Sequence, residues 1–237
     1  MTRQKAAPTV SVMIAAAGSG SRMGAQVNKI FLDLAEAPVL AHTLHAFEHC
    51  PLVAEIIIAA AERDIMECGR LSLEYGIGKL KTVVAGGATR QQSVRNALSA
   101  VSEGCDIVLV HDAARPLVRE SVINGVIAAA AEHGAAAAGA ECKNTMKSVD
   151  VDGFIVKTLD RSRMTEIQTP QGFLKSIITR AHEDAVGRGI GATDDCMLAE
   201  LIGAKIKLVH SGSDNLKITT YDDLIYAEHI LESRRGE

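Results

Sequence analysis

The segment VSVMIAAAGSGSRMG, residues 10–24, is followed five positions later by Lys29. Its first part, residues 10–14, is a short and mostly apolar run that predicts a buried β-strand. The small residues after it leave backbone amides uncovered, and a nest of such N–H groups favours an anion. Because Arg22 and Lys29 stand in or just after the same loop, we expect a phosphate-bearing ligand there.

Two common phosphate-binding motifs do not fit this loop. The P-loop requires Gly-Lys-Ser/Thr, which does not occur in the sequence. The dinucleotide motif G-x-G-x-x-G requires glycine where Met23 stands. A plain tight turn remains an alternative for a glycine-rich loop, although a turn has no need of two cations.

Composition limits the possible classes of function. The chain has 237 residues, which predicts one large domain. A net charge of −4, with 3% aromatic residues and no Trp, argues against nucleic acid as a partner. Five scattered cysteines without a C-x-x-C pair indicate small core thiols in a reducing compartment. The first apolar run is too short for a signal peptide or a membrane span, so we expect a cytoplasmic protein without membrane contact.

Strand and helix patterns alternate along the first 140 residues, which predicts a parallel sheet with right-handed crossovers. In such sheets ligands bind at the carboxyl ends of the strands. The loops at residues 15–29, 86–93 and 111–116 are therefore expected to converge on one crevice. Further strands are predicted at 55–60, 80–85, 106–110 and 135–140, and helices at 38–50, 63–75, 89–101 and 120–132.

The alternation ends after Glu141. Apolar residues on both sides of Asp152-Gly153 predict a β-hairpin over residues 145–158. Such an arm can bury its apolar face on a partner subunit, or it can extend the edge of the same sheet. A polar segment follows at 160–171. We then predict helices at 173–187, 194–202 and 221–233, and a strand at 205–210.

Several polar residues in the predicted loops have both a functional and a structural interpretation. Asp112 could bind ribose hydroxyls, a magnesium-held triphosphate or a sugar alcohol, or it could pair with Arg115 and shape the loop. Arg90 and Ser93 could face the crevice, or their segment could simply be a helix start capped by Thr89.

Three further segments carry the same ambiguity. Lys217 could extend along an edge or point into the site. The run 193–195 predicts a helix N-cap followed by an acid in the first turn. His42, His45 and His49 could share a helix face, but a solvated face is a better interpretation than a metal site.

Taken in order, these motifs resemble the 2-C-methyl-D-erythritol 4-phosphate cytidylyltransferases over essentially the whole chain. The resemblance implies an α/β, Rossmann-like nucleotidyltransferase fold, with a mostly parallel sheet flanked by helices and a projecting β-hairpin arm. It also implies a single domain over residues 1–237, with the arm at 142–171 exchanged in a homodimer. The motifs lie at residues 15–29, 86–93, 111–116, 144–147, 160–161, 169–171, 193–194 and 215–217.

The reaction that the resemblance implies joins CTP and methylerythritol 4-phosphate to give a CDP-alcohol and pyrophosphate, in isoprenoid precursor synthesis. The implied cofactor is Mg²⁺, held mainly by the CTP phosphates. Because the nucleophile is the phosphate of the substrate, no protein nucleophile is required.

The resemblance also implies roles for individual residues. Arg22 and Lys29 would stabilise charge on the triphosphate, and Arg161 and Lys217 would position the attacking phosphate. The implied substrate-binding residues are Ala15, Ala16, Ala17, Gly18, Ser19, Gly87, Arg90, Ser93, Asp112, Arg115, Thr145, Thr169 and Thr193. Because the family exchanges the arm between subunits, Arg161 and Thr169 could serve the site of the partner subunit.

The sequence departs from the family pattern at two places. The run 28–31 reads Asn-Lys-Ile-Phe where relatives often have Pro-Lys-Gln, and Ala88 stands where many relatives carry an acid. A ribitol 5-phosphate cytidylyltransferase on the same scaffold is the main alternative. A nicotinamide-dependent oxidoreductase and a non-catalytic nucleotide-binding module are the others.

Overall fold

A computed structural model describes residues 7–18 and 28–235. The strands are β1 Val10–Ala16, β2 Asp33–Leu34, β3 Ala37–Pro38, β4 Val53–Ala60, β5 Leu80–Ala85, β6 Ile107–Asp112, β7 Ala135–Glu141, β8 Lys147–Val149, β9 Ile155–Thr158, β10 Thr165–Leu174 and β11 Lys207–His210. The α-helices are α1 Val39–Glu48, α2 Ile65–Glu74, α3 Arg90–Leu98, α4 Glu120–His133, α5 Lys175–Arg188, α6 Asp195–Leu201 and α7 Tyr221–Arg235.

The main sheet of the described chain has seven strands in the order β11-β7-β10-β6-β1-β4-β5. Every neighbouring pair is parallel except the two pairs that involve β10. The prediction of a mostly parallel sheet flanked by helices is therefore confirmed. Ala15 of β1 is in register with Asp112 of β6, so the carboxyl ends of these two strands lie side by side.

An aliphatic core covers both faces of the sheet, because alternate side chains of a strand point to opposite faces. On one face Val12 and Ile14 of β1 belong to a cluster with residues of α1, α2 and α4. On the other face Met13 belongs to a cluster with residues of α3, α5 and α6. The five cysteines are free thiols, and all except Cys142 are buried, as predicted.

Strand β10 corrects the sequence-based interpretation of residues 160–174. We expected a polar loop and then a helix from Phe173, but residues 165–174 form an antiparallel strand between β6 and β7. The arm assigned to 142–171 therefore includes seven residues, 165–171, that belong to the main sheet. Polar residues are tolerated in this central position because the buried side chains of Gln168, Thr169 and Gln171 are all hydrogen-bonded.

The predicted hairpin is present as a separate two-stranded sheet of β8 and β9. Gly153 occupies its turn with a φ of +88°, a conformation that favours glycine. Its apolar side chains face solvent in the single chain, with Phe154 71% exposed and Val156 66% exposed. Among the described residues no helix has both the length and the apolar character needed to cross a membrane.

The close packing of β10 predicts the effect of one substitution. A Cβ atom at Gly172 would lie 2.7 Å from Val126 Cγ1 and 2.9 Å from Leu109 Cδ2. Gly172→Ala should therefore lower the free energy of unfolding by about 1–3 kcal/mol. Gly187→Ala is the matched control, because a Cβ atom at Gly187 in α5 meets nothing within 4 Å. Chemical denaturation of both variants tests this, and equal unfolding energies would contradict the packing of β10.

Candidate active site

A cavity of about 450 Å³ lies at the carboxyl ends of β1, β5 and β6, where three loops were predicted to converge. Its described lining joins the loop after β1, the start of α3, the loop after β6 and the segment before α7. The lining residues are Ala15, Ala16, Ala17, Gly18, Asn28, Lys29, Ile30, Gly87, Ala88, Thr89, Arg90, Ser93, Asp112, Ala113, Ala114, Lys217 and Thr219.

The loops after β1 and β5 touch through small residues. A Cβ atom at Gly86 would lie 2.5 Å from Ala17 Cβ and 3.2 Å from the Ala60 carbonyl oxygen. Glycine is required at this position because any side chain would push the two loops apart. Thr89 caps α3 by accepting from Gln92 N, as predicted, and the Ser93 hydroxyl accepts from Gly87 N at 3.0 Å. Ser93 therefore borders the cavity while its hydroxyl holds the loop.

Asp112 is the centre of an ion cluster in this cavity. Its Oδ2 lies 2.9 Å from Lys217 Nζ and 3.5 Å from Arg115 Nε, and its Oδ1 lies 3.6 Å from Arg90 Nε. Burial by itself would raise the pKa of Asp112, but Lys217, Arg90 and Arg115 outweigh burial and hold it below its ordinary value. The predicted pairing of Asp112 with Arg115 is thus confirmed. Asp112 also lines the cavity, and its contact with a ligand stays a prediction.

The segment at residues 214–219 carries Lys217 across the edge of the cavity. Ile218 N donates to Ala114 O at 2.8 Å, and Lys29 Nζ donates to Ile218 O at 2.7 Å. Arg115 Nη1 donates to Asn215 O at 2.7 Å. These contacts hold the backbone on both sides of Lys217. The Lys217 side chain lines the cavity and pairs with Asp112, so it points into the site and does not extend along an edge.

Comparison with known proteins identifies the family of this chain. The profile described as 2-C-methyl-D-erythritol 4-phosphate cytidylyltransferase (IspD) matches residues 10–233. The chain belongs to this cytidylyltransferase family. The curated relative of that name from Clostridium acetobutylicum is 46% identical over 221 residues, which cover 93% of this chain and 96% of the relative. The one from Pelotomaculum thermopropionicum is 42% identical over 231 residues, which cover 96% of each chain.

Solved structures agree with this family assignment. The crystal structure of 4-diphosphocytidyl-2C-methyl-D-erythritol synthase from Anaerococcus prevotii superposes with a TM-score of 0.84 at 30% identity. The superposition covers 95% of this chain and 99% of that one. The predicted family, the enzyme class of nucleotidyltransferase and the fold are confirmed. The ribitol phosphate and nicotinamide alternatives are not favoured by these relatives.

Several residues implied by the family resemblance are placed away from the cavity wall. Arg161 is exposed, and its Nη1 donates to Lys143 O at 2.9 Å. Thr145 and Thr193 are also exposed, and neither lines the cavity of the described chain. Arg22 and Ser19 lie outside the described residues.

Thr169 lies beneath the cavity and supports the loop after β6. Its Oγ1 accepts from Asp112 N at 3.1 Å and lies 3.1 Å from His111 Nδ1. The hydroxyl proton is then available to His111 Nδ1, which leaves the imidazole proton on Nε2, 3.1 Å from Arg115 O. Burial lowers the pKa of His111 to about 4, so this residue is a neutral link between β6, β10 and Arg115. His111 belongs to the motif at residues 111–116, but the pattern of this motif predicts no role for it.

The Asp112 cluster predicts a specific dependence of stability on pH. Because the pKa of Asp112 is lower in the folded than in the unfolded state, its contribution is complete above about pH 4 and declines as the pH falls further. Asp112→Asn leaves three cations less well compensated. We expect it to lower the free energy of unfolding by about 1.5–3 kcal/mol at pH 7.

The same difference should shrink as the pH falls below about 4, because the unfolded chain then takes up a proton on Asp112 while the folded cluster still resists protonation. Denaturant titrations at a series of pH values measure this difference in unfolding free energy between the wild type and Asp112→Asn. Asp184→Asn, which removes a carboxylate from the solvent-facing Asp184–Arg188 pair of α5, is the control. A difference that does not change with pH would contradict the ionised cluster.

Proposed function

We propose that the chain joins CTP and 2-C-methyl-D-erythritol 4-phosphate to give the CDP-alcohol and pyrophosphate, a step of isoprenoid precursor synthesis. The observation that carries the proposal is the cavity itself, where a wall of small residues at 15–18 faces the cations Lys29, Arg90 and Lys217. Family membership supplies the identity of both substrates, because relatives of 42–46% identity carry the name of this activity.

The cavity suits a reaction between two polyanions. The phosphate of the alcohol is already an anionic nucleophile, so the protein has to hold the reactants in line and neutralise the charge that develops. Lys29, together with Arg22, would stabilise charge on the α-phosphate and the leaving pyrophosphate. Lys217 would orient the attacking phosphate, and Asp112 could accept hydrogen bonds from hydroxyls of the alcohol.

Mg²⁺ fits this site as a metal carried by the substrate. Within the described ranges no three His, Cys, Asp or Glu side chains form a group that could hold a metal ion. Asp112 is the one carboxylate in the described lining, and its oxygens already contact cations. The triphosphate oxygens and water would therefore hold most of the ion, as is usual for Mg²⁺. When bound, the ion neutralises phosphate charge.

The exposed hairpin supports a homodimer in which arms are exchanged. The apolar side chains of β9 and of the turn before it are uncovered in the single chain. In such a dimer Arg161 would serve the cavity of the partner. Thr169, for which the same role was expected, instead contacts Asp112 of its own chain. We therefore propose one domain over residues 1–237, with the hairpin and its flanks at the dimer interface, working in the cytoplasm.

The proposed roles of the cations predict a loss of turnover. Lys29→Ala and Arg22→Ala should each lower kcat by about 100-fold or more while the fold is retained. Pyrophosphate release from CTP and the alcohol phosphate measures this, with circular dichroism as a check on folding. Lys81→Ala is the control, because Lys81 pairs with Glu55 away from the cavity.

Further outcomes of the same assay separate the alternatives. Release should stop when Mg²⁺ is chelated. CTP binding without release would support a non-catalytic module. Clear preference for ribitol 5-phosphate would overturn the proposed substrate.

Arm exchange predicts complementation between two inactive variants. A mixed dimer of Arg161→Ala and Arg22→Ala subunits contains one site in which both arginines are intact. Random mixing should therefore restore about a quarter of wild-type turnover. Mixtures that stay inactive, although mass spectrometry shows that mixed dimers have formed, would mean that each site is built from one chain.

A further inference from the structure

Arg90 lies between two carboxylates that have different surroundings. Its Nη1 donates to Asp195 Oδ2 at 2.6 Å, and its Nε lies 3.6 Å from Asp112 Oδ1. Asp112 lines the cavity, whereas Asp195 is 1% exposed and does not. Burial by itself would lower the pKa of Arg90, but Asp195 and Asp112 outweigh burial and raise it. Arg90 is therefore a permanent cation that connects the cavity to the interior.

Asp195 is itself held from several sides. Its Oδ1 accepts from His182 Nε2 of α5 at 3.0 Å. Its backbone N donates to Gln171 Oε1 of β10 at 3.1 Å. His182 is 1% exposed, so neither partner of this pair is accessible to water. A carboxylate held in this way stays in place. In the Arg90–Asp195 pair, the mobile member is therefore the long side chain of Arg90.

The backbone of Arg90 is fixed relative to Asp195 by its neighbour in the same helix. Gln91 Oε1 accepts from Ala192 N at 3.1 Å, and Gln91 Nε2 donates to Ile190 O at 3.2 Å. The first turn of α3 is thus attached to the α5–α6 connection without any contribution from Arg90. The Arg90–Asp195 pair is then left to determine where the guanidinium points.

Removal of the Asp195 charge would change the ion pairs that Asp112 makes in the cavity. A mostly buried guanidinium needs a counter-charge, and Asp112 already forms an ion pair with Arg90. Asp194 also acts on Arg90, but its two oxygens accept hydrogen bonds from Gln171 Nε2 and Met197 N. Arg90 would then compete with Lys217, whose Nζ lies 2.9 Å from Asp112 Oδ2. The Asp112–Lys217 pair belongs to the side of the cavity that the proposed function gives to the alcohol phosphate.

We infer that Asp195, oriented by His182, is a positioning residue that binds Arg90 Nη1 and so limits the pairing of Arg90 with Asp112 to the present 3.6 Å contact, which keeps the Asp112–Lys217 pair available to the alcohol phosphate. This inference rests on the proposed function. It assigns Asp195 and His182 an effect on one substrate, which a general contribution to stability would not produce.

The isosteric variant Asp195→Asn tests the effect on each substrate separately. We expect kcat/KM for the alcohol phosphate to fall about tenfold, while the Kd for CTP from calorimetry stays within about twofold of wild type. Asp184→Asn is the matched control, because it removes an exposed ion pair of α5. Equal losses for both substrates, or none, would overturn the inference. Wild-type protein that does not turn over the substrate pair would instead refute the proposed function.

A double-mutant cycle tests whether Asp195 acts through Arg90. In an Arg90→Gln background, Asp195→Asn should change kcat/KM for the alcohol phosphate by less than about twofold, because the side chain it positions is already gone. Effects that multiply independently would show that Asp195 acts by another route, and would overturn the inference.

Substitutions of His182 keep the inference testable if Asp195→Asn does not fold. Gln can place an N–H near the position of His182 Nε2, so His182→Gln should retain kcat/KM for the alcohol phosphate within about threefold. His182→Leu removes the donor. It should lower kcat/KM for the alcohol phosphate and leave the Kd for CTP unchanged, as expected for Asp195→Asn. Thermal melting shows whether each variant is folded. Identical kinetics of the Gln and Leu variants would contradict an orienting hydrogen bond.

Discussion

The ion cluster at Asp112 is the interaction on which the arrangement of the candidate site depends. The carboxylate ends β6, and its partners come from the start of α3, the loop after β6 and the segment before α7. Burial strengthens each of these pairings and makes the loss of any partner costly. Loops that are far apart in sequence therefore keep their relative positions because their charges require one another.

Strand β10 supports this cluster through polar side chains in the centre of the sheet. Thr169 Oγ1 accepts from Asp112 N, and Gln171 Oε1 accepts from Asp195 N. Asn215 Nδ2 donates to Gln168 Oε1 and Thr169 O, both at 2.9 Å. An apolar strand would leave these groups without partners. The polar character of β10 is thus the reason that the loop after β6, helix α6 and the segment 214–219 meet at one place.

Because His111 is neutral, it supports the loop after β6 without adding a charge to the ion cluster at Asp112. A charged imidazole at this position would add a fourth cation beside Arg115 and Lys217. Burial keeps its pKa at about 4, so the number of charges around Asp112 does not change near neutral pH. The cations of the ion cluster and the hydrogen-bonded framework beneath them are therefore electrostatically distinct, although both include residues of the motif 111–116.

Most of the fold could be predicted from hydrophobic periodicity, because buried parallel strands and amphipathic helices carry their pattern locally. Strand β10 could not, because its polar residues become compatible with a sheet interior only through partners 23 to 58 positions away in the chain. The same reason explains why residues 165–171 were assigned to the arm although they belong to β10. The hairpin turn at Asp152-Gly153 was predictable because a turn depends on adjacent residues.

The sequence by itself determined the strand–helix order, the loops that meet at the carboxyl ends of the strands, and the place of Lys29 beside the first of these loops. Tertiary structure alone decided which groups pair: Thr169 and Ser93 support backbone, and Arg90 is tied to Asp195 behind the cavity wall. The physical reason is that hydrogen bonds and ion pairs depend on distance and direction in space. Spacing along a chain specifies these only within a single helix, strand or turn.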